Sequence, residues 1–334
     1  MTILLPIKLR ATGGTSSFAR KFQASMQSRG YNVIFAPSVS YDILLASPRA
    51  PIRLLLEARM RRRPIVQRLD GVYYPAIAGR SYSFHNASLW YIRKYFATTL
   101  IYQSRFSAKS CDRYLGASQL PSQIIYNGVD TDIFSPTGST VDLRDNPNQQ
   151  ILITASRFRR KDQIIPLLVA FAQYRQEYTT NCKLLIIGNF EGEVADIPQI
   201  KAGEPGVTFI GTIPHSKLPQ YLRSGDAFLF THRNPPCPNN VIEAMACGLP
   251  ICGVADGSMS ELILPGKEGE LVQSSGDPFT EPRTFSDTEF ADNMAKILAN
   301  QHVYSSAARD TAYARFSLEA MVDAYCDAIE STIF

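Results

Sequence analysis

The sequence predicts an α/β protein with two domains, each built on a parallel β-sheet that helices cover on both faces. Short apolar runs alternate with longer amphipathic segments along the 334 residues, and most runs are apolar throughout, as in buried parallel strands. A polar segment without periodicity, residues 135–149, interrupts this pattern once and indicates a linker. A chain of this length can form two domains with separate cores.

Each element is predicted from its hydrophobic pattern. The strands predicted in the first domain are Ile3–Ile7, Asn32–Ala36, Ile43–Ala46, Ile65–Leu69, Thr99–Gln103 and Gln123–Tyr126. Those predicted in the second are Ile151–Ala155, Lys183–Ile187, Val207–Ile210, Ala227–Phe230 and Ile251–Val254. The predicted helices include Ser17–Arg29, Ile164–Glu177, Ser216–Arg223, Asn239–Cys247, Phe290–Ala299 and Ser317–Glu330. We expect domains at 1–134 and 150–316, followed by a segment, 317–334, whose helix crosses back to the first domain.

The composition excludes several classes of protein. Apolar residues make up 45% of the chain and charged residues 19%, which indicates a globular rather than a disordered protein. The net charge of +4 is small for a nucleic-acid binder but compatible with anionic substrates or an anionic membrane surface. Six scattered cysteines predict neither a disulfide framework nor a zinc site. Without a signal peptide or a spanning helix, we expect a cytoplasmic protein, at most peripheral on the inner face of a membrane.

The segment Thr231–Ile263 carries the most chemical information. The strand Ala227–Phe230 ends in a proline-rich loop, and the next helix begins near Asn239 with Glu243 one turn inside it. The unpaired N–H groups and partial positive charge of a helix N-terminus suit a diphosphate. The Glu243 carboxylate could accept hydrogen bonds from two vicinal hydroxyls, as on a ribose. The alternative is that Glu243 only favours the positive end of its own helix.

Two cations follow the strand Ile151–Ala155, so we expect them at the carboxyl end of that strand. Arg157 and Lys161 could together stabilise a departing diphosphate without a metal ion. Arg160 competes with Lys161 for this role. The alternative is a solvated basic turn that contributes little.

Two further strand ends are candidates. The loop Thr12–Ser17 joins the first strand to the first helix, and Gly14 would let the backbone approach a ligand closely. Asp70 follows the strand Ile65–Leu69 and could orient a sugar or acceptor hydroxyl. Because Asp-Gly is common in turns, Asp70 could equally be a turn residue.

Taken in order, these segments resemble family 4 retaining glycosyltransferases, which have the GT-B fold. The resemblance extends over nearly the whole chain, and the order and spacing of its short matches are specific. The matching segments are Thr12–Phe18, Ile125–Phe134, Ala155–Asp162, Gly188–Asn189, Phe209–Thr212, Glu243–Pro250, Gly257–Glu261 and Arg315–Glu319.

The resemblance implies two Rossmann-like domains facing across a cleft, the first binding the acceptor and the second a nucleotide-diphosphate sugar. It implies metal-independent sugar transfer with retention at the anomeric carbon, to a glycan or lipid-linked saccharide. No cofactor is implied besides the donor, which is a co-substrate. The implied catalytic residues are Arg157, Lys161 and Asp70. The implied donor-binding residues are Gly14, Thr15, Gly188, Asn189, Thr212, Asn239, Asn240 and Glu243.

One position departs from the family pattern. Pro235 stands eight residues before Glu243, where the family has an acid that contacts the donor sugar. Backbone N–H groups, Asn239, Asn240 or His232 could take the place of that acid. The missing acid leaves open a degenerate member that binds a nucleotide sugar or a partner without transfer. A GT-B-shaped enzyme of other chemistry, such as a sugar-nucleotide epimerase, is a separate hypothesis.

A basic segment, Arg59–Arg63, adds a possible partner. Together with Arg93 and Lys94, which Trp90, Tyr91, Tyr95 and Phe96 flank, this segment could form a surface that docks on anionic lipid. The alternative is a solvated helix face.

Overall fold

The computed structural model describes residues 1–9, 14–37, 40–281 and 284–333, which form two compact units. Unit 1 consists of Met1–Gly128 and the helix that begins at Leu318, and unit 2 consists of Val129–Ser317. Within the described part of the chain, no helix has the length and apolar character needed to cross a membrane.

Unit 1 is a six-stranded parallel sheet with helices on both faces. Its strands are β1 Thr2–Leu4, β2 Asn32–Ile34, β3 Ile43–Ala46, β4 Ile65–Leu69, β5 Thr99–Tyr102 and β6 Ser122–Ile124. Their spatial order is β2-β1-β3-β4-β5-β6. Its first helices are α1 Gly14–Ser28, α2 Ile52–Met60, α3 Pro75–Ala78, α4 Tyr82–Tyr95 and α5 Arg105–Leu115.

Unit 2 is a second six-stranded parallel sheet. Its strands are β7 Gln150–Phe158, β8 Cys182–Phe190, β9 Val207–Gly211, β10 Ala227–Phe230, β11 Ile251–Val254 and β12 Gly269–Val272. Their order, β12-β11-β10-β7-β8-β9, is that of Rossmann-type domains. Its helices are α6 Ile165–Glu177, α7 Ile197–Ile200, α8 Leu218–Leu222, α9 Asn239–Ala246, α10 Met259–Leu262, α11 Asp287–Ala299 and α12 Gln301–Phe316. The predicted fold class, two Rossmann-like parallel-sheet units, is confirmed.

The helix α13, Leu318–Ile333, completes the core of unit 1. Its Tyr325 ring lies 5.0 Å from Phe22 and 5.8 Å from Phe18 of α1, and Val322 and Ile329 are fully buried beside them. One face of the unit 1 sheet is therefore covered by two helices that are about 300 residues apart in sequence.

The segment 135–149 has no helix or strand, but it is not a free linker. Arg144 donates two hydrogen bonds to the Asp226 carboxylate, at 2.8 and 2.9 Å. Arg223 donates to the carbonyls of Ile133, Ser135 and Ser139. These contacts hold the segment against unit 2, so the expected boundary at 134/150 is replaced by one at Gly128/Val129.

Two strands of unit 2 differ from the prediction. β7 and β8 pair over nine residues, from Gln150↔Cys182 to Phe158↔Phe190, so Arg157 lies within β7 rather than after it. β12 was not predicted, because Glu270 interrupts its apolar run. That carboxylate is buried, accepts a hydrogen bond from the Tyr304 hydroxyl and pairs with Lys296.

Candidate active site

The carboxyl ends of β7 and β10 mark the switch point of the unit 2 sheet. The chain runs from β7 to β8 and β9 on one side and then crosses to β10 on the other side of β7. In doubly wound sheets, ligands bind where the strand order reverses in this way. The Asn240 amide donates to the Ala155 carbonyl at 2.7 Å, which fixes the beginning of α9 beside the end of β7. The predicted residues Arg157, Asn239 and Asn240 therefore lie in one region.

Arg157 presents its guanidinium at this edge and holds a carboxylate there. Its side chain is 56% exposed, and its Nη2 and Nε lie 2.7 and 3.1 Å from the two carboxylate oxygens of Glu191. The Asn189 amide donates to the same carboxylate at 2.7 Å. The hydrogen bond from Arg157 is the main cause that lowers the pKa of Glu191. Glu191 was missed at the sequence level, although it directly follows the β8 end that carries Asn189.

Arg160 and Lys161, the two candidates for the second diphosphate-binding cation beside Arg157, have different surroundings. Arg160 pairs with Asp162, the Nε–Oδ1 distance being 2.9 Å. Lys161 begins the short 3₁₀ turn Lys161–Gln163, and its exposed ammonium makes no ion pair within the described residues. Its backbone N–H donates to the Glu193 carboxylate at 3.2 Å. Lys161 therefore presents the less neutralised charge.

Glu243 lies in the second turn of α9 and is 5% exposed. Its Oε1 is 3.0 Å from Nε2 of His215, whose side chain is 56% exposed. The His215 ring in turn contacts Phe134, with 5.3 Å between ring centroids. The interpretation of Glu243 as a first-turn acid that only serves its helix does not fit this position. His215 is a second site residue that no pattern in the sequence identifies.

His232 follows β10 and carries its proton on Nε2. Oε1 of Gln163 accepts the backbone N–H groups of Arg159 and Arg160, so its amide nitrogen faces Nδ1 of His232 at 3.1 Å. An amide nitrogen only donates, so Nδ1 must accept and the proton lies on Nε2. Among the described residues, no group forms a hydrogen bond with the buried Nε2. Burial, and next the charge of Arg160, lower the pKa of His232 to about 4.

We predict that His232 makes stability depend on pH. Between its ordinary pKa of about 6.5 and the lowered value of about 4, the unfolded chain binds a proton that the folded protein excludes. The stabilisation is therefore complete above about pH 6.5 and falls by about 3 kcal/mol as the pH drops to about 4. We expect the free energies of unfolding of the wild type and of His232→Asn, measured with denaturant, to differ less and less as the pH falls from about 6.5 to about 4. His302→Asn, which changes an exposed histidine, should follow the wild type; a constant difference for His232→Asn would contradict the prediction.

Pro235, which replaces the acid of the family pattern, makes a close contact with a neighbouring loop. Gly257 has φ +58°, and a Cβ there would lie 2.5 Å from the Pro235 nitrogen. The Ser258 N–H donates to the Pro235 carbonyl at 2.9 Å. Pro235 therefore packs against the loop that begins the Gly257–Glu261 match.

Four of the predicted donor-binding residues lie elsewhere or are explained by packing. Gly188 has φ +139°, and a Cβ there would lie 1.7 Å from the Ser156 carbonyl oxygen, so strand packing alone requires glycine at this position. Thr212 follows β9, the edge strand, which β8 separates from β7. Gly14 and Thr15 begin α1 in unit 1, so the expected loop Thr12–Ser17 is shorter than predicted. Residues 12 and 13 lie outside the described residues, as do the side chains of residues 14–17.

Asp70 follows β4 in unit 1 and binds a buried arginine. Arg68, which is 2% exposed, donates to Oδ1 of Asp70, and Gln103 donates to the same oxygen at 2.8 Å. The Arg68 guanidinium also donates to Asn127 at 3.0 Å and lies 3.9 Å from the Phe18 ring centroid. Asp70 is therefore the fixed counter-ion of Arg68 rather than only a turn residue.

Among the residues that the structure describes, no three metal-ligating side chains cluster closely enough to hold a metal ion.

Comparison with known proteins finds a family match and two relatives in sequence. The family described as glycosyl transferases group 1 matches residues 149–300. The N-acetyl-alpha-D-glucosaminyl L-malate synthase of Bacillus anthracis is 26% identical over 212 residues, which are 61% of this chain and 52% of that protein. The alpha-1,3/1,6-mannosyltransferase alg-2 of Neurospora crassa is 24% identical over 172 residues, 40% of this chain and 36% of that protein. The chain thus spans about half or less of these relatives.

Solved structures resemble the whole chain. The Anabaena protein Alr3699/HepE, in complex with UDP-glucose, superposes with a TM-score of 0.74 at 17% identity, covering 99% of this chain and all of that one. The sucrose-phosphate synthase of Thermosynechococcus elongatus gives a TM-score of 0.73 at 16% identity, with 99% of both chains covered. These likenesses show the fold. The chain has the GT-B fold, and its match to glycosyl transferases group 1 spans most of unit 2.

Proposed function

We propose that this protein transfers a sugar from a nucleotide-diphosphate donor to a hydroxyl of an acceptor, with retention at the anomeric carbon. The observation that carries the proposal is that Arg157, near the carboxyl end of β7, and Lys161, in the turn after it, follow the point where the Asn240–Ala155 hydrogen bond fixes the beginning of α9. The match of residues 149–300 to glycosyl transferases group 1 supports it, and so do the two relatives, whose names describe a synthase of a glucosaminyl compound and a mannosyltransferase.

In this proposal the donor is held by unit 2. The Glu243 carboxylate accepts hydrogen bonds from the ribose hydroxyls, with His215 fixing its orientation. The N–H groups of Asn239 and Asn240 at the beginning of α9 face the diphosphate. Arg157 exchanges the Glu191 carboxylate for a phosphate oxygen, because both anions suit the same planar guanidinium.

The proposed chemistry needs positive charge where the leaving group forms. The bond between the anomeric carbon and the phosphate oxygen breaks, and the acceptor oxygen bonds to the same face of that carbon. The acceptor proton moves to the departing phosphate, while Arg157 and Lys161 stabilise the charge that develops on it. Asp70, held by Arg68 and Gln103, orients a hydroxyl of a saccharide or lipid-linked acceptor.

Binding of the nucleotide is the first test. We expect thermal unfolding to be measured with uridine, guanosine and thymidine diphosphates and with their sugar conjugates. The ligands that carry one of these bases should raise the Tm of the protein. A ligand at 100 times its Kd adds about 2.7 kcal/mol to the free energy of unfolding. Glu243→Gln should greatly reduce this shift, because the amide loses one acceptor oxygen for the ribose. Glu177→Gln, an exposed change at the end of α6, should keep it. No shift with any nucleotide, or an undiminished shift in Glu243→Gln, would refute the donor site.

A second candidate is a protein that binds the nucleotide sugar without transferring it. The contact of Pro235 with Gly257 favours it, because proline has no carboxylate to contact the donor sugar. Release of nucleotide diphosphate from a saturating donor, measured over a range of saccharide acceptors, separates the two functions. Tight binding without release would favour the second.

A further inference from the structure

One face of unit 1 exposes an unusual amount of apolar surface on two neighbouring helices. On α2, Ile52, Leu56 and Met60 are 50%, 48% and 78% exposed. They are four residues apart and so share one stripe, while Leu54, Leu55 and Ala58 bury the opposite side of the helix.

The end of α4 continues this surface with aromatic rings. Trp90, Tyr91 and Tyr95 are 37%, 43% and 47% exposed, and the Tyr95 ring contacts both of the others. Arg59 of α2 donates to the Tyr95 carbonyl at 2.7 Å, which joins the two helices. Between them lies an open groove of about 470 Å³, lined by Leu56, Arg59, Trp90, Tyr91, Tyr95 and Phe96. We call this surface, with the stripe on α2, the α2–α4 face.

Positive charge surrounds the α2–α4 face. Arg53, Arg59, Arg61 and Arg62 are exposed on or directly after α2. The acid in this stretch, Glu57, only makes a loose pair with Arg61 at 3.5 Å. The Lys94 ammonium lies over the Trp90 and Tyr95 rings, 4.9 and 5.6 Å from their centroids.

Not all of the basic segment contributes to this face. Arg63 lies over the Tyr41 ring at 4.4 Å and donates to the Ser40 hydroxyl at 2.9 Å. It is therefore engaged within unit 1. Arg93 was expected on the same surface, but it is buried and donates to the Tyr102 hydroxyl and the Asp112 carboxylate, so it is not part of this face.

We propose that the α2–α4 face docks on an anionic lipid bilayer. Rings with one apolar and one polar end, such as Trp and Tyr, are suited to the level of the lipid headgroups. An apolar helix stripe flanked by arginines gains both from burial in the acyl boundary and from attraction to anionic lipid. The acidic surface of a protein would pair with the arginines but offers no apolar layer for the exposed stripe on α2. This inference does not depend on the proposed sugar transfer.

The chain contains a single tryptophan, Trp90, which serves as a probe within the face. We expect vesicles containing phosphatidylcholine and phosphatidylglycerol to shift its fluorescence to the blue and brominated acyl chains to quench it. Phosphatidylcholine vesicles alone should do neither at the same low salt. An unchanged spectrum with anionic vesicles, or equal binding to both vesicles, would overturn the proposal.

Matched variants locate the surface. Removing two of the cations by Arg53→Gln with Arg61→Gln should weaken vesicle binding roughly 30-fold, at about fivefold for each charge. Lys201→Gln with Lys267→Gln lowers the net charge equally but lies on unit 2, and should leave binding unchanged. Equal losses in the two pairs would mean that net charge, not this face, binds the lipid. Met60→Ser should weaken binding and Tyr313→Ser should not; thermal unfolding verifies that each variant is folded.

Discussion

Arg157→Ala is expected to lower turnover by about 10²–10³, the cost of deleting one group that stabilises developing charge. The guanidinium is half exposed, and its partner among the described residues, Glu191, is itself 34% exposed, so the fold should tolerate its loss. The measurement is the release of nucleotide diphosphate at saturating donor and acceptor, which separates turnover from affinity.

Arg159→Ala is the matched control for this variant. Arg159 is equally exposed and contacts the same Glu191 carboxylate at 3.3 Å, but it lies after the end of β7. If the exposed positive charge near Glu191 were all that mattered, both variants would lose similar activity. If Arg157→Ala keeps wild-type turnover, Arg157 has no catalytic role and the proposed chemistry fails.

Gly188→Ala is expected to prevent unit 2 from folding. The added Cβ would lie 1.7 Å from the Ser156 carbonyl oxygen and 2.9 Å from its carbon, both backbone atoms of the neighbouring strand. Because β7 and β8 pair over nine residues at the centre of the sheet, neither strand can move aside. We expect a loss of more than about 4 kcal/mol, seen as insoluble protein or a collapsed unfolding transition.

Gly203→Ala separates this steric effect from that of backbone conformation. Gly203 also has a positive φ, +86°, but no atom lies within 4 Å of its added Cβ. It should cost only about 1–2 kcal/mol, the penalty of a left-handed conformation for alanine. Similar losses in the two variants would mean that positive φ, and not the close approach to β7, explains the requirement for Gly188.

Most of the fold could be predicted from the sequence because buried parallel strands are apolar on both faces. The central strands β4 and β10 were predicted with their observed bounds. β12 was not, since Glu270 looks like an exposed residue until Tyr304 and Lys296 are brought to it by the fold. The length of β7 was underestimated for the same reason: polar Ser156 and Arg157 end an apolar run, although β8 continues to pair with them.

The candidate site was predicted less completely than the fold. Strand ends and a helix N-terminus point to Arg157, Asn239 and Glu243 because those positions follow from the order of elements alone. The residues that they contact cannot be predicted from the order of the elements. Glu191 and His215 lie 34 and 28 residues away from the side chains that they bind, and the distance in sequence carries no hint of the contact. Side-chain pairs of this kind depend on register and rotamer, which a hydrophobic pattern does not encode.

The position of α13 has a consequence for biosynthesis. Unit 2 is one continuous stretch of chain, whereas unit 1 lacks a layer of its core until the residues after Ser317 have been made. Domains usually fold in the order in which they leave the ribosome. Here the earlier part of the chain has to wait, with Phe18 and Phe22 uncovered, until the later unit is complete. Nascent unit 1 should therefore be the form of this protein that most needs a chaperone.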